Sequence, residues 1–558
     1  MASEIEIVSD FRDQKSPTGE PNPNRTVVVD VHSASAAGDL QKLREFVEND
    51  DVSPALPDPN GYYPLQWAAL NNFPDAMQYI IEHGGNVHAK DHTGQTALHW
   101  SAVRGSIASA DVLMLNGAQV EAADSNGYRA VHIAAQRGQT AFLNHIVTKY
   151  HADMDAPDND GRSPLHWAAY MGFTETIHLL LFRNAYQGRQ DKDGCTPLHW
   201  AALIGNADAC NLLVYAGTRQ ELMIKDRDGH TPAKLASDKG YRQIVLLLNK
   251  AEHAQSPRWN DKFCSGIGWD YGWAPVLFSI IVINAILFIS SVLFAHNLPK
   301  PTAVVALWGW IGVSMAIASL LMLVRCSSKD PGYLKTGTSK HSDSEVLALP
   351  SRIRTSDPLL SIDLNSSSVW TGNWSQLCPA CKIIRPLRAK HCKTCNRCVE
   401  QFDHHCPWIS NCVGKRNRRD FIIFLCMGML TSLIGAIVAV HRIWMSLPVL
   451  GEDDGTWVRL VVFDHPCVLA FLFMDLVILL GTFTLFIVQA FQVAQNITTN
   501  EYANARRYEY LRGPDGRFHN PYNHGCPKNC LSFITHGFPD DDKVAWPPLP
   551  HLVQKTHL

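Results

Sequence analysis

Between Cys378 and Phe421 the chain gathers seven cysteines and three histidines: Cys378-x2-Cys381, His391-Cys392-x2-Cys395-x2-Cys398, Asp403-His404-His405-Cys406 and Cys412. Cysteine pairs two residues apart are zinc knuckles, and two closed tetrahedral sites use eight Cys or His side chains between them. One interleaved partition gives each site three cysteines and one histidine. The first takes Cys378, Cys381, His391 and Cys398, and the second takes Cys392, Cys395, His405 and Cys412. Spacing alone leaves the pairing open. On this partition each closed site would contribute folding energy, and Asp403, His404 and Cys406 remain. The thiolate is the attacking form of cysteine, and a neighbouring imidazole and positive charge lower its pKa. His404 can take the proton of Cys406, while Asp403 orients the ring and supports its charged form.

The surroundings favour an anionic, lipid-like partner. From Cys378 to Phe421 ten basic residues (Lys382, Arg385, Arg388, Lys390, Lys393, Arg397, Lys415, Arg416, Arg418 and Arg419) stand against Glu400, Asp403 and Asp420. Such a loop also suits anionic headgroups. Cys406 lies fifteen residues before an apolar run that starts at Phe421. A thiolate there can meet a phosphorylated head in water and an alkyl tail in the bilayer, the two ends of a long-chain acyl-coenzyme A.

Three elements must position this stretch. The first is a repeat. The glycines at 61, 94, 127, 161, 194 and 229 recur every 33 to 35 residues, each followed by a variant of Thr-Pro-Leu-His-x-Ala, as in Pro164-Leu165-His166-Trp167-Ala168-Ala169. That period and signature belong to ankyrin repeats, turn-plus-two-helix units that bury their apolar faces only against neighbours. Asp30–Asp50 is a worn first copy, and the copy at Asp228–Ala236 is degenerate. Trp67, Trp100, Trp167 and Trp200 read as packing between stacked helices, and the array as a recognition arm with no nucleophile and base pair of its own.

The second element is the membrane. Ala274–Ala295, Thr302–Val324, Phe421–Val440 and Cys467–Ala490 are each long enough to cross a ~30 Å hydrocarbon core. Asn284 and Asp475 interrupt two of them. An intramembrane Asp marks a functional site by default, although Asp475 also fits as an acceptor between helices. The connections His296–Lys300 and His441–Pro466 are poor in Lys and Arg. Arg325–Asp420 and the tail after Arg506 are rich in them, which places the repeats, the cluster and the tail together in the cytosol. That compartment keeps thiols reduced and suits metal rather than disulfides for the fifteen cysteines. The third element, Met1 to Pro23, is polar and Pro-containing, with no signal peptide and the composition of a disordered tail. A net charge of -3 over 558 residues gives no electrostatic case for nucleic acid.

The run Asp403-His404-His405-Cys406-Pro407-Trp408 with its flanking cysteines, Asn417 and Phe421 resembles the Cys-rich domain of the DHHC protein S-acyltransferases. Asp330-Pro331-Gly332 and Thr498-Thr499-Asn500-Glu501 resemble that family's Asp-Pro-Gly and Thr-Thr-x-Glu signatures. Gly525–Cys530 is similar to its C-terminal motif, with Asn529 expected to brace the Thr-Thr-x-Glu turn. The likeness covers about Asp261 to Phe538. With the repeats, the whole resembles the plant ankyrin-bearing, tip-growth-defective type, related to animal huntingtin-interacting protein 14.

The resemblance implies a protein-cysteine S-palmitoyltransferase of the Golgi or plasma membrane. Cys406 would take a long acyl chain from acyl-coenzyme A and pass it to cysteines of membrane-associated proteins gathered by the repeats, with His404 moving the proton. It implies two structural Zn2+ on the interleaved partition, coenzyme A contacts at Arg385, Arg388 and Lys390, and a cavity for the chain among the helices. Asn71 and Trp100 align with positions that bind a short linear motif in the animal relative. Asn60 stands where an acidic partner is expected, a departure from that pattern.

The expected fold is all-α. A disordered tail (1–25) leads into an ankyrin solenoid of six to seven repeats (26–255). A four-helix transmembrane domain follows (274–295, 302–324, 421–440 and 467–490). Its cytosolic loop 325–420 carries a double-zinc domain at 376–421, and a cytosolic tail covers 491–558. A membrane-anchored ubiquitin ligase leaves Asp403, His404 and Cys406 unexplained, a channel needs more helices, and a non-enzymatic adaptor needs no free thiol.

Overall fold

The computed structural model describes residues 28–217, 219–255, 272–295, 298, 300–335, 374–445, 462, 465–513 and 515–537. The expected disordered tail lies outside these, as do most of the two connections poor in Lys and Arg. The chain forms two compact units, Met1–Asn159 and Asp160–Leu558.

The first unit holds four helix pairs. Val31–Ala37 is followed by Leu40–Arg44, which a π turn extends; then come Pro64–Leu70 with Pro74–Glu82, Ala97–Arg104 with Ile107–Leu115, and Ala130–Gln136 with Thr140–Tyr150. The signature residues explain the helix starts. Thr96 is an N-cap, and the ring Nδ1 of His99, three residues on, accepts the Thr96 N–H at 3.1 Å. The other ring nitrogen reaches the Tyr128 carbonyl of the next repeat at 2.9 Å. One side chain therefore closes its own helix and ties it to its neighbour. Gln66 does the same where the first full repeat lacks histidine, accepting from Tyr63 N–H and donating to the Gln95 carbonyl at 2.7 Å.

The second unit opens with three more pairs: Pro164–Met171 with Thr174–Phe182, Pro197–Ile204 with Ala207–Ala216, and Pro232–Asp238 with Arg242–Gln255. His166 and His199 reach the carbonyls of Cys195 and His230. Trp167, Tyr170 and Trp200 form an edge-on cluster that receives the Arg162 guanidinium.

Four helices long and apolar enough to cross a membrane follow among the described residues: Ala274–Leu293, Ala303–Ser328, Arg418–Trp444 and Pro466–Ala494. The first ends in a π turn, Phe288–Leu293. The other three outrun the apolar stretches by polar turns such as Arg325–Ser328 and Arg418–Asp420, which hydropathy does not register. Leu321, Ile437 and Phe473 face outward, as a bilayer requires and water does not.

Among the described residues six short strands are added to this helical frame, in three antiparallel ribbons. Leu377–Cys378 (β1) pairs with Ile383–Ile384 (β2), Lys390–Cys392 (β3) with Arg397–Val399 (β4), and His404–Cys406 (β5) with Asn411–Val413 (β6). The register sets His391 opposite Cys398 and His405 opposite Cys412. The second repeat unit touches the first ribbon directly. Lys382 Nζ donates to the carbonyls of Leu181 and Phe182 at the end of their helix, and the Tyr215 ring stands edge-on to His391.

Candidate active site

The ribbons sort the ten candidate ligands into two foursomes, Cys378, Cys381, His391, Cys398 and Cys392, Cys395, His405, Cys412, with all donor atoms of each within 4.8 Å of one another. A tetrahedron with bonds of about 2.0–2.3 Å has edges of about 3.3–3.8 Å. Cys378 Sγ to His391 Nδ1 spans 3.6 Å, and Cys412 Sγ to His405 Nδ1 spans 3.6 Å. Thiolate and imidazole donors in closed sets of four are the chemistry of zinc, so the residues present fit the metal.

Asp403, His404 and Cys406 belong to neither foursome. His404 Nδ1 lies 2.6 Å from Asp403 Oδ2, and the Cys406 thiol is close enough to the ring to act on its charge. The Phe421 ring stands edge-on to His404. Burial alone would depress His404, but its bonds to Asp403 and Cys406 hold it up at about 9. Burial opposes ionisation of Cys406 too, yet His404 and the backbone N–H groups of Ile409 and Trp408 bring the thiol below its ordinary value. Cys406 and His404 thus favour the thiolate–imidazolium pair, the attacking form.

Asp403 is fully buried, and the groups around it explain why it stays charged. Against the penalty of burial, the Arg418 guanidinium, His404 and the Thr499 N–H hold it well below the usual carboxylate range. Its Oδ1 accepts from Thr499 N–H at 2.9 Å, and its Oδ2 accepts from Thr499 Oγ1 at 2.7 Å and Gln489 Nε2 at 3.3 Å. Arg418 Nη2 lies 3.4 Å from Oδ1. Gln489 and Arg418 were not singled out in the sequence. The only signals were a glutamine pair, Gln489 and Gln492, ending an apolar run, and one more positive charge in a basic loop.

All four long helices converge here. The N–H of Ala274 donates to Ser410 Oγ, and that of Trp273 to the Pro407 carbonyl. Asn411 Nδ2 caps the second helix by donating to the carbonyls of Cys326, Ser327 and Lys329. Lys329 donates to Asp420 in the first turn of the third helix at 2.5 Å. The fourth helix supplies Gln489. Between them lies a cavity of about 380 Å³, lined by Cys406, Trp408, Ile409 and Phe421 together with apolar side chains of all four helices.

The flanking motifs brace this assembly. Asp330 accepts from the N–H groups of Gly332 and Tyr333 and pairs with Arg416, while Arg416 N–H donates to the Pro331 carbonyl. Thr498 and Glu501 form a capping box. Glu501 also receives the buried Arg388 guanidinium through Nε at 2.7 Å and Nη2 at 2.8 Å. Asn529 donates to the Ala494 carbonyl at the end of the fourth helix, short of the Thr-Thr-x-Glu turn it was expected to brace.

The expected coenzyme A contacts divide. Arg388 is 5% exposed and stacked on Tyr522. Arg385 donates to the carbonyls of Ser375 and Gln376, and Lys390 donates to Asn500 Oδ1 at 2.6 Å. Burial and the nearby charges of Arg385, Arg507 and Lys393 press the Lys390 amine down. In the repeats, Asn71 donates to the Ala36 carbonyl and accepts from Arg104, and buried Trp100 donates to Asp91 at 2.9 Å. Both are occupied in holding the array.

Residues 372–506 match the family model for the DHHC palmitoyltransferases, and 31–124, 110–191 and 172–257 match that for ankyrin repeats. Over 546 residues the chain is 54% identical to an Arabidopsis thaliana protein described as probable protein S-acyltransferase 23, covering 98% of this chain and 99% of that one. It is 34% identical over 165 residues to the Danio rerio palmitoyltransferase ZDHHC17 (29% of this chain, 26% of that one). It is also 34% identical over 238 residues to the human palmitoyltransferase ZDHHC9 (40% and 59%).

Proposed function

The chain belongs to the DHHC protein S-acyltransferases, multi-pass membrane enzymes that acylate protein cysteines, and we propose that Cys406 is the residue that carries the acyl group here. The observation that supports this most is the placement of buried Asp403 and Cys406, with half-buried His404 between them, at a cavity lined by all four membrane helices. The Cys406 thiolate attacks the thioester carbonyl of a long-chain acyl-coenzyme A. The carbon–sulfur bond to coenzyme A breaks, and the leaving thiolate takes the proton held by His404. A substrate cysteine then gives its proton to His404 and attacks the Cys406 thioester, which returns Cys406 to the thiolate. Asp403 holds the ring and its charge throughout.

Each foursome of ligands holds one Zn2+, which supplies folding energy and no step of the transfer. Lys390 and Arg385 meet the phosphates of coenzyme A: an anion beside Lys390 relieves the repulsion and burial that press its amine down. Arg388, committed to Glu501, positions the fourth helix instead. Membrane-associated substrate proteins dock on the repeats, where Asn71 and Trp100 act through the shape of the array. The lysine and arginine bias supports both termini and the site on the cytosolic face of the membrane, which we take to be that of the Golgi or plasma membrane.

Acyl label from palmitoyl-coenzyme A, released by hydroxylamine and mapped by mass spectrometry, tests this. Wild type carries the label on Cys406 and Cys406→Ser carries none. Equal labelling of the two overturns the proposal.

A further inference from the structure

Deep in the cavity, the fourth helix carries Asp475, 2% exposed, and the first carries Asn284, 8% exposed. Both line the same space, with Ser432 of the third helix. Asn284 Nδ2 donates to Asp475 Oδ1 at 3.1 Å and so ties the first helix to the fourth. That bond uses half of each group. Asp475 Oδ2 and Asn284 Oδ1 are buried and make no hydrogen bond of good geometry, although the Ser432 side chain lies near the Asp475 carboxylate. Leaving such atoms unpaired in an apolar space is costly, and a polar contact built only to join two helices has no need of them.

The depth of the pair carries the argument further. Asn284 is ten residues along its helix from Ala274, which is anchored at Ser410 beside the nucleophile, so it sits ~15 Å away along the axis. Asp475 is fourteen residues from Gln489, which touches Asp403, or ~21 Å. These distances reach about half to two thirds of the way through a ~30 Å hydrocarbon core, the depth that one long fatty acyl chain spans. Gly435 of the third helix faces the same wall: a Cβ there would lie 3.0 Å from Phe471 Cζ and 3.9 Å from Asp475 Oδ2.

We propose that Asp475 and Asn284 form a polar subsite that accepts a hydroxyl at or near the far end of the acyl chain, so that the enzyme takes hydroxylated long-chain donors as well as plain ones. A hydroxyl donates to Asn284 Oδ1 or to an ionised Asp475 Oδ2 and accepts from a protonated one, so it fits the pair in either state of the carboxyl. The proposal rests on acyl-coenzyme A being the donor and Cys406 the acceptor.

The test uses the full chain in phospholipid nanodiscs, supplied with an equal mixture of palmitoyl-coenzyme A and its ω-hydroxy analogue, with the two acyl-Cys406 products counted by mass. Wild type incorporates the hydroxylated chain about as fast as the plain one. Asp475→Leu lowers the hydroxylated-to-plain ratio by roughly tenfold, the scale of a lost buried hydrogen bond. Asn284→Leu shifts it the same way, and Asp475→Asn, which keeps the polar end, holds it near the wild-type value. Zinc content identifies folded protein, and Asn284→Leu and Asp475→Asn carry the comparison if Asp475→Leu does not fold. A ratio that is the same in wild type and the leucine variants overturns the subsite while leaving the acyl-enzyme intact. Absence of the hydroxylated product alone on wild-type Cys406 overturns the subsite, and absence of both products overturns the acyl-enzyme and the subsite with it.

Discussion

In the repeats, His99, His166 and His199 each accept a backbone N–H at Nδ1 and bridge to a carbonyl of the next repeat. In the Cys-rich segment, His404 lies between a carboxylate and a thiol. All four rings are mostly buried, yet their protonation runs in opposite directions. A ring that accepts from one amide and donates to one carbonyl is satisfied only when neutral, and burial pushes His166 down to about 4. His404, less deeply buried, has two partners able to be anionic, and it is held up at about 9 despite a burial penalty of its own. Burial makes the choice of partner decisive: amides make histidine a scaffold, and anions make it a proton carrier.

The sharpest break comes from the metal-binding set. Cys412→Ser or His405→Ala is expected to lower expression and zinc content together, because losing a ligand unfolds the segment that carries His404. His404→Ala, by contrast, should retain two zinc ions per chain, counted by metal analysis, while Cys406 acylation slows by roughly 10²- to 10⁴-fold. Equal loss of metal in this variant would show that His404 belongs to the binding set.

Acid and alkali should separate the two uses next. The unfolded ring titrates near 6.5, and the folded His166 near 4. Its contribution is therefore whole above pH 6.5 and is lost as pH falls toward 4, so the hydrogen-exchange protection factors of residues 164–204, corrected for intrinsic rate, should fall over that window. His404 runs the other way: its contribution is whole below pH 6.5 and is lost as pH rises through about 9. Alkylation of Cys406 should accordingly begin below the pH of an ordinary thiol, and His404→Ala should move that onset upward.

Smaller effects test the scaffold. Gln66 already does the work of the repeat histidines, so His166→Gln should cost less than His166→Ala, by about 1 kcal/mol in the unfolding of the full chain. Where the repeats meet the first ribbon, the Tyr215 hydroxyl lies 4.0 Å from Cys378 Sγ and the Lys393 ammonium sits over its ring. Tyr215→Ala should hasten release of one zinc ion of the two to a chelator, with the other unchanged.

Much of this was legible in the residues. The period of the glycines, the Cys and His spacings, the four apolar runs and the flanking motifs all act over short stretches of chain, where residue type alone dictates the outcome. The histidine of the repeat signature was readable as a pattern but not as a bridge, since its second bond goes to a carbonyl about thirty residues away. Arg388 was counted with the basic loop because charge is visible in sequence, while its partner Glu501, 113 residues on, is not.

Sequence by itself determined the repeat array, the membrane crossings, the ligand types and the surplus of Asp403, His404 and Cys406. Tertiary structure alone decided what surrounds that surplus. It brought Thr499, Gln489 and Arg418 onto Asp403, withdrew Arg388 into an ion pair, and set Asp475 beside Asn284, 191 residues away. The physical reason is that a charge buried in a protein is governed by the few groups within hydrogen-bonding reach. In this fold those groups come from the start of the third long helix and the end of the fourth, which meet only when the chain is closed.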